Sequence, residues 1–521
     1  MYACIHEVEG GHIEALAWLL PQFLLNLTRN PRILNSLESP QPPLVLHKMM
    51  IASVLRHPAA PKYMARSASA QTMTVFNELS EQVPELFPAK GGPSPKAEVS
   101  TLSNGIRVVS LDDGSHVASV GAFVEAGSRH EVCSVEGAAH MLKHLGFKAT
   151  TKRSALRLYR DMEDAGITSS TTSDREHVVY RADCLRDNAL AALTVIGETM
   201  TQPYFPIYEL LETRSMVNHD HSEQQNNGHA LVDELVHATA YGRRSALGVT
   251  DVSNGQTVAG VDADALRNYQ SNTFTGGRIV VAATGVDHNT LVQSAEDIFS
   301  SIAAGEGGAT ATPAYTGGHA VVSAATDACH VAIALDTGTG GFKSKSETQI
   351  LSSLALETML GGGVSSSNAR LSTSVTEDRF GSGSGASAFG STYADAGLVG
   401  VFGTASGSEV DSLVKTLCKE LKNASASSPK AAEVSRAKNQ LKASVALNLS
   451  TRGGVLSDLG TQVLSTGTVQ TPEELFAKID ALTGSDIQSA ATLALKSKPT
   501  VVAVGNVDNV PSYSAVEAML K

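Results

Sequence analysis

A chain of 521 residues with 42% apolar and 18% charged side chains is a folded protein, and it is too long for one ordinary core. Its net charge of −12 argues against a general nucleic-acid binder, which needs a basic face against phosphate. The five cysteines, Cys4, Cys133, Cys184, Cys329 and Cys418, stand far apart with no Cys-x-x-Cys pair. That pattern speaks against a disulfide framework or a zinc ribbon and for reduced, mostly buried thiols.

The first 95 residues read as an N-terminal extension. Between Ser39 and Asn77 there is no Asp or Glu, while Lys48, Arg56, Lys62 and Arg66 recur among Ala, Ser, Leu and Met. The stretch MMIASVLRHPAAPKYMARSASAQT (49–72) has the composition of a mitochondrial presequence, and a start at Met49 or Met50 would place it at the head of the chain. The most apolar run, residues 15–27, is short and broken by Pro21, so no bilayer-spanning helix is expected.

Folding begins near residue 96. IRVVSL and SVGAFV read as strands joined by the turn DDGS, followed by a helix carrying HMLKH (140–144). RSALRLYRDMEDAG is an amphipathic helix closed by Gly166; TSSTTSDREHVVYRADCL returns to strands; RDNALAALTVIGETM is helical and stops before Pro203. Residues 300–318, rich in Gly, Ala and Thr, form a linker between a domain at 96–299 and another at 319–521. In the second, HAVVSAA and CHVAIALDTG are strands, SETQILSSLALETML a helix and ASAFGSTYADAGLVGVFGTAS a hairpin. Three further helices follow before the closing strand TVVAVGNV. Clustered strands and helices predict an α+β fold of two duplicated α/β sandwich domains, each a mainly antiparallel sheet packed with helices.

HMLKH places His140 and His144 on one face of a helix, where two imidazoles can share a metal ion. In the inverted zinc-peptidase signature, His-x-x-Glu-His, the residue before the second histidine is the carboxylate that deprotonates bound water. Here that residue is Lys143, which has no acceptor in its charged form. NHDHSE (218–223) reads as a polar helix face. The glycine runs at 361–363 and 381–387 lack the strand-to-helix context and the Lys-Ser/Thr ending of a phosphate cradle, so they read as surface loops.

The ordered stretches VEAGSRHE (124–131), GAAHMLKHLGFKAT (137–150), LVHATAY (235–241) and STYADAGLVGVFG, with Tyr393, Asp395 and Gly397, resemble the mitochondrial processing peptidase and pitrilysin family of inverted zinc peptidases. The resemblance runs from about Lys96 to the C-terminus. Within the family, CLRDNALAAL, AAEVSRAKNQLKASVALNLST and AVGNVDNVP are most similar to the core 2 type of subunit of ubiquinol–cytochrome c reductase (respiratory complex III). The α-subunits of the processing peptidase are the neighbouring choice.

This resemblance implies a degenerate site. His140 and His144 fall on two ligand positions, Lys143 on the general base and Asp220 on the third ligand, a glutamate in the family. No catalysis, heme or quinone is implied, and zinc is not expected; His140, His144 and Asp220 are the candidates should a metal bind. Two roles remain open. One is a non-catalytic core subunit, peripheral on the matrix side of the inner membrane. It would pair with a core 1 or β-processing-peptidase-like homologue in a dimeric complex with other complex III subunits. The other is a processing-peptidase α-subunit that recognises presequence peptides. The short, serine-interrupted glycine segment departs from the α-subunit pattern and favours the first.

Overall fold

The computed structural model describes residues 96–521 apart from 132–134, 306–311, 339–340, 343–346, 364–367, 379 and 382. The presequence-like segment, the alternative start, Cys4 and Cys133 lie outside the described residues. The other three cysteines are free and buried.

The first half runs β1 (Glu98–Thr101), β2 (Arg107–Leu111), β3 (Val117–Val124), α1 (Ala138–Leu145), α2 (Ala155–Asp164), β4 (Thr168–Ser173), β5 (Val178–Leu185), α3 (Ala189–Thr201), α4 (Ile207–Asn226), α5 (Gly228–Tyr241), α6 (Gly255–Val258), α7 (Ala263–Thr273), β6 (Ile279–Thr284) and α8 (His288–Phe299). The second runs β7 (Gly318–Ser323), β8 (Ala328–Asp336), α9 (Glu347–Leu360), α10 (Arg370–Glu377), β9 (Gly385–Thr392), β10 (Gly397–Ser406), α11 (Val410–Ala426), α12 (Ala431–Asn448), α13 (Arg452–Thr466), α14 (Pro472–Ala481), α15 (Gly484–Ala494), β11 (Thr500–Gly505) and α16 (Tyr513–Leu520).

The strands read as the DDGS hairpin are not neighbours in the sheet. β6 lies between them, parallel to β2 and antiparallel to β3, giving the order β1-β2-β6-β3-β5-β4. The reason is burial: IVVAAT is apolar or small throughout and every residue of β6 is buried, so it belongs at the centre of a sheet covered on both faces. The second sheet repeats the device. β11, also buried along its length, enters between β7 and β8, parallel to the first and antiparallel to the second, in the order β7-β11-β8-β10-β9. Leaving out edge strand β1, the two sheets have the same strand order, with the last strand placed between the first and the second.

Each sheet packs its own half's helices on one face. In the first, Val108, Val120 and Val281 meet Leu142 of α1, Leu193 and Ile196 of α3 and Leu291 of α8. The opposite faces are covered by exchange between halves. Leu231, Val232, Leu235 and Val236 of α5 pack on Ala332, Ala334, Val502 and Val504 of the second sheet. Leu456, Leu459 and Val463 of α13 pack on Val109, Phe123, Val280 and Ala282 of the first. This reciprocal cover explains why the central strands are apolar on both faces. No helix among the described residues is long and apolar enough to cross a membrane.

Candidate functional site

The eight-residue helix α1 is anchored by Met141, Leu142 and Leu145, all buried, which turns His140 and His144 toward α4. Its first amides are satisfied from outside the helix: Glu131 accepts from Gly137 N at 2.7 Å and Ala139 N at 2.8 Å. Burial pushes the Glu131 carboxyl up to about 8, against the pull of those bonds. On α4, Leu210, Thr213 and Val217 form a buried stripe at helical spacing, and Asp220, three residues further, continues it toward α1. NHDHSE is therefore a polar face only in part: His219 is exposed, while Asp220 belongs to the site.

All four residues read from the sequence come together. Asp220 Oδ2 accepts from His140 Nε2 at 3.0 Å, Lys143 Nζ at 2.9 Å and His144 Nε2 at 2.9 Å. Among the described residues, His140, His144 and Asp220 are the one group of three side chains close enough to share a metal ion. Burial opposes ionisation of Asp220, but the three donated bonds and the Lys143 charge outweigh it and hold the carboxyl well below the usual range. Burial also lowers both histidines, partly offset by Asp220, so each favours its neutral form.

Hydrogen-bond roles then decide what the site can hold. An ionised carboxylate only accepts, so both Nε2 atoms carry the proton. For His140 a second contact agrees: its Nδ1 accepts from the buried Ser253 amide at 3.1 Å, which leaves the single proton of a neutral ring on Nε2. A zinc ligand needs the reverse tautomer, with Nε2 bare and Nδ1 donating to an outer partner. A metal would also have to displace the Lys143 ammonium from the same oxygen, where like charges a few ångströms apart oppose it. As arranged, these residues do not fit a catalytic zinc; they satisfy one another. Lys143, bonded to Asp220, offers no base to take a proton from water.

The other stretches behind the resemblance meet at the seam between the halves. Arg129 bonds to buried Glu176 and reaches across to Asp395 with both terminal nitrogens, at 3.1 and 2.9 Å. Glu176 in turn accepts from the Ala394 amide at 3.1 and 3.2 Å. His237 donates from Nδ1 to its own helix at Asp233 O, so its Nε2 accepts from the Tyr393 hydroxyl at 2.7 Å. Arg175, from the tip of the β4–β5 hairpin, pairs with Glu234 and donates to Val249 O. Sequence reasoning singles out Tyr393 and Asp395 but assigns the seam no role. Opposite charges in two distant motifs were the available signal.

A duplicated sandwich in which a His-x-x-x-His helix faces a carboxylate on a later helix is the architecture of the inverted zinc peptidases. The chain belongs to peptidase family M16: residues 107–249 match its insulinase domain and residues 260–441 the domain described as Peptidase M16 inactive domain. It is 29% identical over 435 residues to the mitochondrial-processing peptidase subunit alpha of Solanum tuberosum, covering 82% of this chain and 85% of that protein. The cytochrome b-c1 complex subunit 2 of Rattus norvegicus is 27% identical over 418 residues, 80% of this chain and 91% of that one. The mitochondrial-processing peptidase subunit beta of Saccharomyces cerevisiae is 29% identical over 444 residues, 82% and 95%. In fold it matches a chain of complex III2 from Candida albicans, Inz-5 bound, with TM-score 0.69 and 20% identity over 81% of this chain and 99% of that one.

Proposed function

We propose that the chain is a non-catalytic, core 2-type subunit of mitochondrial ubiquinol–cytochrome c reductase, peripheral on the matrix side of the inner membrane. There it supports assembly beside a core 1 or β-peptidase-like homologue. The observation that carries the reading is the bond from Lys143 to Asp220, with the Nε2 atoms of both facing imidazoles turned to the same carboxylate oxygen. Relatives among the complex III core subunits, and a glycine segment interrupted by serines, support this role.

A comparable identity to a processing-peptidase α-subunit favours a second reading, a subunit that binds presequences while its partner cuts. Both roles can coexist where the peptidase is built into complex III. Purification from mitochondrial membranes in mild detergent separates them. Co-migration with cytochromes b and c1 is expected; a soluble heterodimer that cleaves presequences would replace the first reading by the second.

A further inference from the structure

The two sheets match strand for strand except at one edge. In the first, β2 lies parallel to the central strand β6, and β1 pairs antiparallel along its outer side, from Glu98 opposite Ser110 to Thr101 opposite Arg107. In the second, β7 holds the place of β2, parallel to the central strand β11, and no strand lies beyond it among the described residues. The stretch just before β2 supplies β1, but the stretch just before β7 is engaged elsewhere. The Thr316 amide donates to Ala240 O at 2.8 Å, and the Tyr315 hydroxyl donates to Lys498 O at 2.6 Å. The second sheet therefore has five strands where the first has six.

The ladder to β11 fixes which backbone groups are left over. The Gly318 amide donates to Pro499 O at 3.2 Å and the Ala324 amide to Gly505 O at 3.0 Å, so the even-numbered residues of β7 face β11. His319, Val321 and Ser323 turn both N–H and C=O outward, and all three are exposed. Such a row of unpaired main-chain groups fits one kind of ligand, another extended chain. The usual guards of a bare edge are missing: GHAVVS has no Pro, Lys, Arg, Asp or Glu, and Val321 and Val322 are 53% and 37% exposed. A strand of six residues is too small to hold a free second copy, since stable pairs bury on the order of 1,200 Å² or more. It suits a segment of a chain already held nearby, whose effective concentration is high.

We propose that an extended segment of another subunit adds to β7 as an antiparallel sixth strand, the counterpart of β1, and is uncharged where it passes Val321 and Val322. This rests on the chain being a subunit of a larger assembly, as both readings above have it.

Hydrogen–deuterium exchange at residue resolution tests it, on the full-length protein alone and in its detergent-purified assembly. The amides of His319, Val321 and Ser323 should exchange at least tenfold more slowly in the assembly than in the isolated chain. Val321→Pro removes one outward donor and no bond to β11, so the isolated variant should melt as wild type does. In the assembly it should lose the protection of His319 and Ser323, which Val321→Ala, keeping the donor, should retain. A benzophenone amino acid at position 321 should crosslink to a different subunit. The proposal is overturned by protection already present in the isolated chain, by protection indifferent to Val321→Pro, or by a crosslink to a second copy of this chain. Equal exchange within an intact assembly would overturn this proposal alone, whereas a chain that purifies without any partner would overturn the subunit reading with it.

Discussion

Asp220 Oδ2 receives three hydrogen bonds from one helix face, and Lys143 brings the positive charge that a divalent ion would bring in a working peptidase. Lys143→Glu should put a second carboxylate against Asp220 and lower stability by about 1–3 kcal/mol without metal. Added zinc should leave the melting temperature of wild type unmoved, as scanning calorimetry can follow. HMLKH is legible in the sequence because ligand spacing on a helix is a local property, and Asp220 follows from the family resemblance. The Ser253 amide that sets the tautomer is not legible, since it lies 113 residues from His140 and donates from the backbone. Glu357 is equally hidden. Its carboxyl sits against Gly362 and Gly390, and burial pushes it up to about 7 from 4.5. A raised carboxyl is bound to its proton more tightly in the folded state, so its stabilising contribution is present below pH 4.5 and fades as pH rises toward 7. Glu357→Gln should therefore gain on the order of 1–3 kcal/mol over wild type at about pH 8 and little at about pH 4, measured by urea unfolding at both.

Among the elements, α13 shows most directly how the halves are joined. Leu456, Leu459 and Val463 press on the first sheet, and Gly460 lies so close to the Phe123 ring that an added Cβ would run into it. In an exposed helix Gly→Ala stabilises by about 1 kcal/mol. Gly460→Ala should instead destabilise by about 1–3 kcal/mol, because Phe123 is buried and must move. Chemical denaturation gives the sign directly, and a gain in stability would mean that α13 is not packed there. The helices and most strands are readable from apolar periodicity and from Gly166 and Pro203 as stops. The sheet order is not, because nothing local to DDGS announces that a strand more than 160 residues later will enter between its neighbours. The continuous apolar runs of β6 and β11 do signal central strands, but not which strands they separate.

At the level of the whole molecule, two sheets of matching order are held by exchanged helices and a buried ionic seam. Arg129, nearly inaccessible, serves Glu176 and Asp395 together. Arg129→Met should cost about 3–5 kcal/mol by stranding the buried Glu176, a loss that equilibrium unfolding would register. The stretches that carry the family resemblance thus divide into two jobs: one set forms the altered helix site, and the other fastens the halves. The peptidase architecture persists, and on the function proposed above the Lys143–Asp220 ion pair stands where its metal chemistry would be. Zinc content of the purified, dialysed full-length chain tests this most directly. Far less than one zinc per chain is predicted, unchanged by His144→Ala; one zinc per chain, lost on His144→Ala, would contradict it.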